Sequence, residues 1–141
     1  MTKRSATAQY QGLGKPGKGS VSTQSGVLSD QPYGFNTRFE DQPGTNPEEL
    51  VAAAHASCFT MALAFALASE GYNDGTLDTK AVVTLDKDGD GFKVTRSDLT
   101  LTAEVPGIGA DDFDRIANEA KKNCPISKLL TAEITLEHSL R

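Results

Sequence analysis

Apolar and polar positions change period several times along this chain, and each change marks an element. Ala6–Gln11, Gly19–Thr23 and Tyr33–Phe39 are short β-like runs set between Gly and Pro, and they predict three strands. "GTNPEEL" predicts a helix start, with Asn46 as the cap, Pro47 at the first helical position and Glu48 and Glu49 in the first turn. From Leu50 to Ser69 there is no Asp, Glu, Lys or Arg. A helix with no polar face is expected to be buried nearly all round, and its many alanines let neighbours approach closely. Gly71 is its stop. "LDTKAVVTLDK" and "GFKVTRSDLTLTAEV" alternate apolar and polar residues, which predicts a hairpin. Phe113, Ile116, Ala117 and Ala120 return to helical spacing, Cys124-Pro125 opens a short helix, and "AEITLEHSL" alternates again as a last strand. The order β-β-β-α-β-β-α-α-β predicts a single α+β domain over residues 1–141, with antiparallel sheets around one long central helix.

The uncharged stretch is also long enough for a membrane span. Its flanks are acidic, however, and lack the Lys, Arg, Trp and Tyr anchors of a spanning helix. A core helix is the better reading, and no membrane partner is expected. The net charge of −5 argues against a nucleic-acid surface. The basic N-terminus has no apolar run behind it, so it does not read as a secretory signal. With two cysteines and no signal, a reducing, cytoplasmic setting is expected, where thiols are free, metal-bound or catalytic more often than structural. A hydrophobic content of 38% is modest, which hints at dimerisation.

Three constellations carry possible chemistry. "DKDGDGF" places Asp86, Asp88, Asp90 and Gly91 as in a calcium loop, but Ser97 stands where the bidentate Glu belongs and the flanks read as strands. A solvated hairpin turn explains it better. Cys58 and Cys124 are two buried thiols, members of a zinc site with His55, or a redox pair; as zinc ligands the three residues have no familiar spacing. Cys58 lies about three turns into its helix, too deep for the macrodipole to activate it, so it needs a positive charge from elsewhere. Cys124 stands at a helix start, which favours the opposite assignment of roles. His55, three residues before Cys58, shares its helix face, and a Cys-His pair suggests acyl transfer. No third member presents itself, so a buried, hydrogen-bonded histidine is the preferred reading. His138 reads as a surface residue.

"QPYGFNTRFE", "GTNPEELVAAAHASCFTMAL" and "NCPIS" resemble the OsmC/Ohr family of osmotically inducible and organic hydroperoxide resistance proteins. The resemblance runs from "GKGSVST" to "AEITLEHSL" and is strongest to the OsmC branch, because Arg38 sits in "NTRFE" just before the helix. It implies a thiol-dependent peroxidase, an intertwined homodimer and active sites at the dimer interface. It also implies that Cys58 attacks the peroxide, Cys124 resolves it, and Arg38 and Glu48 are the charged partners.

The residue chemistry is compatible with those roles. Arg38 supplies the charge that the position of Cys58 cannot, and Glu48 can grip the guanidinium bidentately. Glu48 and Cys58 are about 15 Å apart along a straight helix and on different faces. A composite site, with Cys58 from one chain and Glu48 and Arg38 from its partner, is therefore expected. The expected reaction reduces an organic hydroperoxide to an alcohol, leaves a sulfenic acid on Cys58 and closes a Cys58–Cys124 disulfide that an external dithiol reopens. No metal or bound cofactor is expected. Phe39 and Met61 are candidates for an apolar substrate surface. The competing readings are a non-catalytic stress or binding protein with packed cysteines, and a Cys58–His55 acyl-transfer enzyme.

Overall fold

The computed structural model describes residues 1–141, which divide into two compact units, Met1–Leu50 and Val51–Arg141. In the first, β1 (Ala6–Gln11), β2 (Lys18–Thr23) and β3 (Gln31–Tyr33) form an antiparallel sheet in that order. Gly19 pairs with Tyr33, and a side chain at position 19 would collide with the Tyr33 ring. Tyr33 also meets Tyr10 edge-on, with ring centroids 6.1 Å apart.

The third run ends earlier than its pattern predicts. The strand stops at Tyr33, and Phe35–Phe39 is a helical turn, α1. Thr37 explains the switch. Its hydroxyl accepts the Gly34 N–H at 2.8 Å and donates to the Gly34 carbonyl at 3.1 Å, closing the turn locally. Phe35 and Phe39 then meet one turn apart, with ring centroids at 5.1 Å and ring planes tilted by 44°.

The long helix α2 (Pro47–Ser69) starts as its sequence requires. Asn46 Oδ1 accepts the Glu49 N–H at 2.8 Å, and Pro47 occupies the first helical position. Gly71, at φ +96°, carries the chain out of the helix in a backbone conformation that side chains disfavour.

The second unit contains a sheet of β4 (Thr76–Asp88), β5 (Gly91–Glu104) and β6 (Glu133–Leu140), with β5 central. β4 and β5 are the expected hairpin, and the acidic "DKDGDGF" segment forms its tip, with a strand on either side. β6 corrects the antiparallel expectation, because it runs parallel to β5. The connection between them holds α3 (Ala110–Asn123) and α4 (Pro125–Leu129), the kind of helical crossover that parallel neighbours need.

The core of this unit joins Phe59, Leu63 and Leu67 of α2 to Leu99, Leu101 and Ala103 of β5 and to Phe113, Ile116, Ala117 and Ala120 of α3. α2 is long and apolar enough to cross a membrane by composition, yet this stripe is packed into a protein core. The helix is not buried nearly all round, as its composition predicts. Only His55, Phe59, Leu63 and Leu67 are buried, while Met61 and Phe65 are 62% and 71% exposed. One chain supplies a covering surface for one stripe only. His138 is partly buried rather than at the surface: it lies 2.8 Å from Asp114 and edge-on to Phe113.

Candidate active site

Cys58 and Cys124 are free thiols in contact. Cys58, on α2, is partly buried; Cys124, immediately before α4, is fully buried. The Cys58 sulfur also meets the backbone N–H of Ile126, the second residue of α4. The first N–H groups of a helix have no partner inside it and are free to bond elsewhere. The helix start that the sequence placed at Cys124 therefore directs a donor to Cys58.

These contacts set the acidity of Cys58. Burial pushes the thiol up, and the hydrogen bond with Cys124 pushes it the same way. The Ile126 N–H pulls it down, without reversing the shift. In this environment the thiol is a poor nucleophile, because the thiolate is the reactive form.

Arg38 and Glu48 pair within the first unit. Arg38 belongs to α1 and Glu48 to the first turn of α2. Arg38 Nε donates to both Glu48 oxygens, at 3.0 and 3.2 Å, and Nη2 donates to Oε1. The bidentate grip expected from the residue types is present. Glu48 is 13% exposed and Arg38 36%. The grip engages the Nε–Nη2 edge of the guanidinium and leaves the Nη1 donors open. A cleft of about 370 Å³ lies beside Arg38, walled by Tyr10, Tyr33, Phe35 and Phe39. Phe39 was legible as a candidate; Tyr10 and Tyr33 were not, since they come from β1 and β3, and Phe35 was missed because its run reads as a strand rather than as the helical turn that brings it beside Phe39.

His55 is fully buried, with Nδ1 2.6 Å from Ser97 Oγ and Nε2 2.8 Å from Ser127 Oγ. A neutral imidazole donates through one nitrogen and accepts through the other, and serine hydroxyls rotate to suit either tautomer. Burial lowers its pKa and favours the neutral ring. Both nitrogens are engaged by serines, which leaves neither as a base for Cys58 and removes the basis of the acyl-transfer alternative. The two serines were not legible, because they lie far from His55 in the chain.

The family model described as OsmC-like protein matches residues 39–139. The chain belongs to the OsmC-like family. Within the family it is 54% identical over 134 residues to peroxiredoxin OsmC of Escherichia coli strain K12, covering 95% of this chain and 94% of that protein. It is also similar to organic hydroperoxide resistance protein OhrB of Bacillus subtilis, at 27% identity over 124 residues, covering 87% and 89% of the two chains. The crystal structure of that OhrB superposes with a TM-score of 0.67 at 28% identity, over 97% of this chain and 98% of that one. An OsmC-like protein of Vibrio cholerae shares the fold, with a TM-score of 0.78 at 19% identity over 99% and 100% of the two chains.

Proposed function

We propose that this protein is a cytoplasmic cysteine peroxidase that reduces organic hydroperoxides to alcohols. The observation that carries the reading is the pair of free thiols in contact, Cys58 partly accessible and Cys124 buried. Kinship with a peroxiredoxin at 54% identity supports the reaction class.

In the proposed cycle the Cys58 thiolate attacks one peroxide oxygen. The O–O bond breaks, the alkoxide leaves and takes a proton as the alcohol, and Cys58 holds the other oxygen as a sulfenic acid. Cys124 then attacks the Cys58 sulfur, water departs and a disulfide forms. An external dithiol returns two electrons and two protons and restores both thiols. No step needs a metal or a bound cofactor.

The first step demands a thiolate, and burial with the Cys124 contact holds Cys58 in the thiol form. A cation brought to the sulfur answers that demand, and Arg38 is the candidate: Glu48 holds one edge of its guanidinium, and Nη1 stays open for the thiolate and for the charge developing on the leaving oxygen. In the composite form of the site, the Arg38–Glu48 pair of one chain serves Cys58 of its homodimeric partner. The uncovered apolar side of α2, with Met61 and Phe65, supports such a dimer. The aromatic cleft beside Arg38 favours bulky apolar hydroperoxides over hydrogen peroxide.

Mixing variants tests the reading. Arg38→Ala and Cys58→Ser are each expected to be inactive with cumene hydroperoxide and a dithiol. Unfolded and refolded together, they should regain about a quarter of wild-type activity, since half the dimers then hold one intact site. No recovery with folded, mixed dimers contradicts the composite site. Full activity of Cys58→Ser contradicts the peroxidase reading itself.

A further inference from the structure

The peroxidase cycle uses Cys58, Cys124, Arg38 and Glu48, and leaves the buried His55 network without a task. Its placement supplies one. His55 and Cys58 are i and i+3 on α2. Cys124 and Ser127 are likewise three residues apart, across the start of α4. The two segments meet through two rungs: Cys58 touches Cys124, and His55 Nε2 lies 2.8 Å from Ser127 Oγ. The rungs run in opposite chain order, so fixing one fixes the register of the other.

The far end of the clamp is anchored. His55 Nδ1 is 2.6 Å from Ser97 Oγ, and Ser97 is fully buried on β5, which is paired on both edges. α4 has only five residues and ends on the exposed Leu129. Ser127 gives it a side-chain tie to the rest of the unit. That short helix carries the Ile126 N–H at the Cys58 sulfur and directly follows Cys124.

We propose that Ser97, His55 and Ser127 form a buried clamp that positions α4, so that Cys124 and the Ile126 N–H are held on Cys58. His55 and Ser127 are thus positioning residues: they act through the placement of α4. The clamp raises the effective concentration of one thiol at the other, the quantity that governs closure of an intramolecular disulfide. The functional sense of the clamp rests on the peroxidase reading, but its physical content does not.

The test needs no peroxide. The purified protein is equilibrated with reduced and oxidised glutathione, and the fraction of Cys58–Cys124 disulfide is read by intact mass. In this exchange two protein thiols lose two electrons and two protons, and one oxidised glutathione becomes two reduced molecules. Ser127→Ala is expected to lower the effective concentration about ten-fold, the scale of one lost buried hydrogen bond. His55→Phe fills the ring's space without its nitrogens and should lower it equally, which keeps the test alive if Ser127→Ala folds poorly. Ser127→Thr keeps the hydroxyl and should restore most of the wild-type value. Leu67→Ala weakens the same core away from the rungs and should leave the exchange equilibrium within about two-fold. Wild-type equilibria in both Ser127→Ala and His55→Phe overturn the proposal. So does an equal fall in Leu67→Ala, which would assign the effect to general loosening. Because the exchange uses glutathione alone, a protein inert to hydroperoxides would still report whether the clamp exists.

Discussion

α3 and α2 solve the problem of burial differently. α3 buries Phe113, Ile116, Ala117 and Ala120 and carries Asp111, Asp112, Lys121 and Lys122 at its ends. Its acids stand in the first turn and its bases in the last, as the helix dipole prefers. Its sequence and its burial agree, and one chain satisfies it. α2 has no charged face after its first turn, yet a single stripe is buried and Phe65 stays 71% exposed. The helix that carries Cys58 is therefore the one that a single chain leaves unfinished. A self-contained helix reads as scaffold; an apolar helix with an uncovered side reads as scaffold on one face and docking surface on the other.

That contrast can be broken first at α3. Phe113→Ala should lower the unfolding free energy by about 3–5 kcal/mol, read by urea denaturation, because it opens a cavity among fully buried neighbours. A loss below about 1 kcal/mol would mean that α3 is not the finished element described here.

The matching change on α2 should act on assembly. Phe65→Asp is expected to keep the far-ultraviolet circular dichroism of the wild type while weakening self-association about 100-fold, or about 2.7 kcal/mol. Sedimentation should shift towards the 14.9 kDa single chain, with peroxide turnover falling in parallel. Identical sedimentation of the two proteins would show that this side of α2 is not the docking surface.

Glu48→Gln acts at the start of α2. It removes the charge from the grip on Arg38 and should lower turnover about ten-fold while leaving Cys58 in place. Unchanged turnover would remove Glu48 from the site.

The smallest effect concerns His55. Burial lowers its pKa, so the unfolded chain takes up a proton before the folded one as pH falls. Stability tied to the neutral ring is whole above the unfolded value of about 6.5 and is lost as pH falls from there towards the lowered folded value. The slope contributed by one such group is at most about 1.4 kcal/mol per pH unit. Urea titrations of wild type and His55→Phe at a series of pH values should show a shallower acid loss in the variant. Parallel curves would mean that His55 is not held neutral by folding.

Periodicity made most of the fold legible. Asn46 and Pro47 marked the start of α2, Gly71 its end, and the spacing from Phe113 to Ala120 marked α3. What failed were features that period cannot encode. Phe35 and Phe39 suit a strand or a helical turn equally, and the choice fell to the hydrogen bonds between Thr37 and Gly34. Alternation in "AEITLEHSL" gave β6 without its direction, which the crossover through α3 and α4 decides. A helix apolar on every side gave no sign of which face would be covered.

The site was legible in the same uneven way. Arg38 and Glu48 are close in sequence and meet as their chemistry suggests. The Ile126 N–H was hidden in plain view, because Pro125 announced a helix start but not what its free donors would face. Ser97 and Ser127 were beyond reach, since nothing local ties a serine to a histidine in another element.

The most direct test of the central claim is to find which sulfur oxidises first. Wild type, Cys58→Ser and Cys124→Ser are exposed to cumene hydroperoxide with a sulfenic-acid trap, and intact masses are taken over time. A disulfide is expected in wild type, a trapped adduct on Cys58 in Cys124→Ser and no rapid reaction in Cys58→Ser. Rapid trapping of Cys124 in the absence of Cys58 would contradict it.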